Sequence, residues 1–199
     1  MCTGTVLCGM PCSEGAARRM LSDPTPGSYG AEWIRARPTV SEADRVAAYM
    51  AELPVAWGRV TSLLASLTVQ SVPDATQDDV ARALADDDVI IVVAHHVQNN
   101  DLTSVGIELS DGVLDLNRLA SIAPRRSTAV VDVLGVCRSA PLIPVLKNNC
   151  GSVRVLAREK TQVDPIARLL LLPDTVRMWR ETEPDYAACV VRIHMAMIG

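Results

Sequence analysis

A chain of 199 residues, 49% of them hydrophobic and 21% charged, has the length for one core and the composition of strands covered on both faces by helices, so residues 1–199 are expected to form a single domain. The net charge of -4 and pI near 5.4 remove any general attraction to phosphate backbones or anionic lipids, which excludes nucleic acid and membrane surfaces as expected partners. The apolar fraction also excludes extended disorder.

The chain opens with a short apolar run and no basic segment ahead of it, which is not the pattern of a signal sequence. No apolar stretch approaches the roughly 20 residues that span a bilayer. The expected compartment is the cytosol, where the six cysteines, at positions 2, 8, 12, 137, 150 and 189, default to reduced thiols. Cys2, Cys8 and Cys12 lack the tight pairing of a zinc site, and no metal or other cofactor is expected.

Thr3 to Met10 alternates small and apolar residues up to Pro11 and predicts a first, central strand. Residues 22–38, rich in Pro, Gly and Ser, have the composition of an exposed loop open to movement or cleavage. Ser41, with Asp44 three residues on, predicts a helix cap; Val46, Ala47, Met50 and Leu53 then repeat at helical spacing until Pro54, where the helix is expected to stop. A short strand is expected around Leu67 to Val69, and after it a helix through Leu84 capped by Asp74 or Thr76.

Asp86, Asp87 and Asp88 read as a solvated connection into Val89 to Ala94, an unbroken apolar run of the kind a fully buried parallel strand requires. The run ends on His95 and His96. Val105 to Ser110 and Val113 to Leu116, separated by Asp111-Gly112, predict a β-hairpin, and Asn117 to Ile122 a helical turn or two. Thr128 to Val136 is a second buried strand, ending on Cys137. Pro141 to Asn149 suits a helix and Ser152 to Ala157 a third strand; Asp164 and Pro165 suit a helix start. Asp185 to Met197 is apolar at a spacing that fits strand or helix. Trp33, Trp57 and Trp179 are scattered, as core residues are, and His194 reads as a surface or core histidine. This alternation of helix and strand predicts an α/β fold with a mostly parallel central sheet and helices on both faces.

In such sheets ligands collect beyond the carboxyl ends of the strands. The two strongest strands deliver His95 and Cys137 to that edge, and the chain between them has room for a hairpin, a helix and the return strand. A thiolate is a nucleophile and an adjacent imidazole can take its proton during attack, so the pair is sufficient for acyl transfer once backbone N–H groups face the developing oxyanion. Taken singly, each residue has a plainer reading as packing or as a satisfied histidine; their pairing carries the argument.

The stretch D88-V-I-I-V-V-A-H95-H96, then V105-G-I-E-L-S-D-G112, then V130-V-D-V-L-G-V-C137-R-S139 resembles the core of CHAT domains, which share a clan of cysteine peptidases with caspases, separases and gingipains. The resemblance covers about a third of the chain and implies a three-layer caspase-like sandwich with His95 as general base and Cys137 as nucleophile. It places the oxyanion donors at the backbone N–H groups of Cys137 and of the residue after the base, here His96 where the family has glycine. A register shift of one would make His96 the base.

Ile91 and the pair Gly135-Val136 also depart from the family pattern. In such peptidases a charged group near the groove reads the residue before the cut. Asp132, an oddity within an apolar strand, is a candidate for an acidic pocket, with a structural carboxylate as its other reading; Arg138 and Arg154 are candidates for a basic one. The resemblance implies an endopeptidase that cuts a protein partner, in bacterial regulated cell death or defence against phage; the small size, with no extra sensor domain expected in 199 residues, leaves activation to homodimerisation, to processing in 22–38 or to another protein. The alternative, favoured by His96, is a catalytically silent module of the same fold that binds partners. A phosphate-binding α/β domain ranks last, since no glycine-rich fingerprint follows any strand.

Overall fold

The structure is a computed structural model that describes residues 2–99, 103–122, 130–147, 153–157 and 165–198. Thr128, Cys150, Ser152 and Asp164 lie outside the described residues.

Strand β1 (Gly4–Cys8) is buried at every position, and helix α1 (Glu14–Leu21) follows, its first turn capped by Ser13. Helix α2 (Tyr29–Ala36) occupies much of the segment whose composition predicts an exposed loop. The correction has a local cause: Ser28 caps the helix by accepting the Ala31 amide, and Trp33 buries itself in the core. The small polar residues here supply a turn and a cap instead of looseness.

Helix α3 (Glu42–Ser66) begins at the Ser41 cap, as the sequence predicts, but passes through Pro54 and continues to Ser66. Its buried stripe, Val46, Tyr49, Leu53, Ala56, Trp57, Val60 and Leu64, runs at helical spacing on both sides of the proline, so burial outweighs the roughly 3 kcal/mol that an interior proline costs. The strand expected at Leu67 to Val69 therefore starts later, as β2 (Gln70–Val72).

Thr76, not Asp74, caps α4 (Gln77–Asp86), in a reciprocal box with Asp79. Strand β3 (Val89–Gln98) does not end on the histidines but carries on through them. The expected hairpin follows as β4 (Ser104–Leu109) and β5 (Gly112–Asp115), then α5 (Leu116–Ser121) and β6 (Val130–Val136). Helix α6 (Leu142–Lys147), strand β7 (Arg154–Leu156), and helices α7 (Pro165–Glu181) and α8 (Tyr186–Ile198) complete the chain. The segment with mixed spacing before the C-terminus is thus helical.

The seven strands form one sheet in which β2, β1, β3, β6 and β7 lie side by side in that order, all parallel, with β4 added antiparallel to the far end of β3 and β5 antiparallel to β4. β3, not β1, is the central strand. Residues of α1, α2, α3, α7 and α8 pack with Val89, Ile91 and Val93 in one cluster; residues of α4, α5 and α6 pack with Ile90, Val92 and Ala94 in the other. The fold is a three-layer α/β sandwich, and all three tryptophans lie in its first cluster. Among the described residues no helix is long and apolar enough to cross a membrane.

Two irregularities shape the carboxyl edge. β1 leaves β3 at Cys8, paired with Val93, and β4 takes over that side from His95 onward, with Gly9 tight against Leu109 and the Glu108 carbonyl. The hairpin so fills the crevice that would open between β1 and β3, where the chain changes direction across the sheet. On its other flank β3 pairs with β6 only as far as Ala94, opposite Val136, which leaves an opening beside His95 to Gln98.

Candidate active site

Cys137 and Arg138 form the turn that leaves β6 at that opening. His95, His96, Gln98, Cys137 and Arg138, with Glu32 from α2, line a cleft of about 40 Å³. An enclosed small-molecule site is typically about 300 Å³ or larger; this space is several times smaller. The two residues that the sequence pairs, His95 and Cys137, therefore line one cleft, from adjacent parallel strands.

His95 is buried on the face covered by α2. Its Nε2 lies 2.9 Å from the Gly27 carbonyl oxygen and its ring centroid 5.4 Å from that of Tyr29. A carbonyl only accepts, so Nε2 carries the proton of the neutral ring and Nδ1 keeps the lone pair. Gly27 has φ +86°, and a Cβ there would come within 1.9 Å of the Gln98 carbonyl oxygen; only glycine lets this peptide lie against β3 and reach the imidazole. Glu108 stands opposite His95 across the β3–β4 pair and accepts the Tyr29 amide at 3.0 Å, which fixes the start of α2 beside His95. Burial pushes the Glu108 carboxyl up, against the Tyr29 amide and the His95 ring, which pull it down.

His96 points to the other face. Its Nδ1 donates to the Cys137 carbonyl oxygen at 2.8 Å and its Nε2 accepts from Ser104 Oγ at 2.7 Å. Both nitrogens are thus engaged in the neutral tautomer, which is what a tether needs and a proton shuttle does not have. Burial lowers its pKa, the bond to the Cys137 carbonyl opposes this, and His95 and Arg138 lower it further. As a candidate oxyanion donor, its N–H belongs to a residue inside a paired strand.

Arg138 takes a left-handed conformation, φ 48°, a strained geometry for a side chain with a Cβ and one that concentrates at functional sites. Its Nη1 donates to Gln98 Oε1 at 3.2 Å. Of the three charged candidates for a substrate pocket, Arg138 alone lies in the cleft. Asp132 is a correction: it is 0% exposed, ion-paired with Arg168 and hydrogen-bonded by the Tyr186 hydroxyl at 2.7 Å, because a carboxylate inside an apolar strand must find partners. Arg154 is another: it pairs level with Val130 at the opposite end of the sheet and holds Asp185 at 2.7 Å.

Gly27, Tyr29, Glu32, Gln98 and Ser104 complete the site without having stood out in the sequence. Glu108 alone carried a readable sign, a carboxylate in a short apolar strand. Among the described residues no group of three His, Cys, Asp or Glu side chains stands close enough to hold a metal ion. Compared with protein-family models, with curated proteins and with solved structures, the chain matches none.

Proposed function

We propose that the chain is a cysteine endopeptidase of the caspase type, in which His95 and Cys137 work as a dyad on a protein substrate. The observation that carries this reading is the shared cleft: an imidazole with one nitrogen anchored to a backbone carbonyl and a thiol from the neighbouring strand, on the rim where parallel sheets keep their chemistry. In the proposed reaction His95 Nδ1 takes the thiol proton as Sγ attacks the scissile carbonyl carbon. The carbonyl electrons move onto oxygen, toward the N–H groups of Cys137 and His96. The imidazolium then gives its proton to the departing amine, leaving a thioester that water, deprotonated by His95, hydrolyses. The left-handed turn at Arg138 supports the reading, since backbone strain of this kind concentrates at functional sites.

Segment 22–38 bears on activation. It supplies the carbonyl that anchors His95, so cutting it removes a support of the base, and homodimerisation or an activating protein fits the geometry better than processing there. The resemblance to CHAT domains keeps bacterial cell death or phage defence as the setting.

Rates of Cys137 alkylation by iodoacetamide test the dyad. The expected result is a Cys137 rate near neutral pH well above that of the other cysteines, which falls about tenfold or more in His95→Ala; a Cys137 rate indifferent to that substitution overturns the reading. A peptide-library digest then reads cleavage and preference together. A second reading, a silent partner-binding module, is favoured by one observation: the His96 side chain, fixed to the Cys137 carbonyl, stands where the family has no side chain. His96→Gly separates the two, since a silent module stays inert when it is made.

A further inference from the structure

The two faces of the sheet are told apart by their cores. On β3 the odd-numbered residues Val89, Ile91 and Val93 join the cluster under α3 and α7 and the even-numbered Ile90, Val92 and Ala94 join the other; His95 continues the first series. On β6, Val130 and Leu134 pack with the first cluster, and Val131 and Val133 with the second. Continued regularly, that alternation would put Val136 with the first cluster and Cys137 on the face away from His95. Instead Val136 packs with the second cluster. The register shows why: Ile91 pairs with Asp132 but Val93 pairs with Gly135, so β6 holds one residue more than β3 over the same distance. This bulge, uncommon in parallel ladders, reverses the alternation, and the reversed alternation carried one residue past Val136 puts Cys137 on the His95 side.

An extra residue inside a buried sheet takes a backbone amide out of the ladder, and a buried amide must find an acceptor. The Leu134 N–H donates to Asp132 Oδ1 at 2.9 Å. Asp132 Oδ2 is held by Arg168 of α7 and by the Tyr186 hydroxyl of α8. On the far side of the bulge, a Cβ at Gly135 would meet the Val92 carbonyl oxygen at 2.8 Å and Val93 Cγ2 at 2.9 Å, so the close return of β6 to β3 requires glycine. We propose that Asp132 is a positioning residue for Cys137: by accepting the Leu134 amide it holds the bulge that turns the nucleophile onto the face of its base. The catalytic consequence rests on the proposed dyad, whereas the geometric content does not.

The test compares two double variants, Asp132→Asn/Arg168→Met and Asp132→Leu/Arg168→Met. Both remove the buried ion pair without leaving an orphan charge, but only the first keeps an oxygen for the Leu134 amide. Each is checked for folding by near-ultraviolet circular dichroism and thermal melting. His95→Cys is added to the parent and to both variants, and disulfide formation with Cys137 is followed under a mild copper oxidant by peptide mapping; this reads which face Cys137 occupies, independently of catalysis. The expected result is trapping in the parent and the Asn variant, and trapping slower by about tenfold or more in the Leu variant, since a misplacement of about an ångström is felt on that scale.

Gly135→Ala, which disturbs the bulge and leaves the ion pair intact, is expected to slow trapping likewise, and it decides the matter if the Leu variant does not fold. Equal trapping in the Asn and Leu variants, unimpaired trapping in Gly135→Ala, or none in the parent overturns the proposal. With His95 in place, alkylation separates the two claims. Trapping that depends on the bulge, with no dependence of Cys137 reactivity on His95, sinks the dyad and leaves the bulge. Reactivity that depends on His95 in all backgrounds, with equal trapping, does the reverse.

Discussion

Each charged or titratable residue near the site is set by what it is forced to touch. His96 is the clearest case. Burial holds its pKa below the ordinary histidine value, so an unfolded chain takes up the proton first as pH falls below about 6.5. The stability that neutral His96 contributes is complete above that pH and is lost as pH falls through its folded value. We expect the urea midpoint to drop between pH 7 and 5, and this slope to flatten in His96→Gln. Arg138 is set by its backbone: with φ at 48°, Arg138→Gly should relieve about 1 kcal/mol of left-handed strain while releasing Gln98, which a denaturation curve and a cleavage assay would report with opposite signs. Asp132 is set by burial. Asp132→Ala alone leaves Arg168, itself 2% exposed, as an uncompensated buried cation, and should cost about 3 to 5 kcal/mol.

At the scale of elements, α2 and its lead-in are the part of the molecule that fixes the His95 ring. Its lead-in lies on β3 through Gly27 and its first amide is held by Glu108. Gly27→Ala forces either the turn or the strand to move and should cost about 2 kcal/mol or more, with slower Cys137 alkylation as the accompanying readout. Glu108 titrates in the opposite sense to His96. Its folded pKa is raised, chiefly by burial, so its contribution is complete below the ordinary carboxyl range and declines as pH rises through the folded value. Glu108→Gln keeps an acceptor for Tyr29 and no charge; it should be more stable than the parent at pH 7, the gap closing near pH 4, as paired urea titrations would show. Elsewhere the same logic of burial over local preference carries α3 through Pro54.

Over the whole molecule, the site is held by parts of the chain remote in sequence. The helices that grip the β6 bulge, α7 and α8, follow the site in the chain, and the clamp on His95 precedes it. This predicts a graded thiol map. Cys8 and Cys189 are both 0% exposed, so their labelling should follow global unfolding, with rates that rise together in urea. Cys2, which is exposed, should label at once. Cys137, at the cleft, should label without global opening and respond to His95.

What the sequence determined by itself is whatever depends on near neighbours. The apolar run from Val89 predicts the buried central strand, Ser41 and Thr76 mark helix starts, and Asp111-Gly112 turns the hairpin, because periodicity, capping and turn chemistry act over a few residues. The same information brought His95 and Cys137 to one edge of the sheet. Only the tertiary structure shows the extra residue in β6 on which the proposed common face depends, since the groups that hold the Asp132 carboxylate beneath it come from α7 and α8. It also decided the fate of Asp132, Arg154 and segment 22–38. A carboxylate in a strand reads alike as pocket or as ion pair, and a Pro, Gly and Ser segment reads alike as loop or as capped helix, until the partner that buries it is in place.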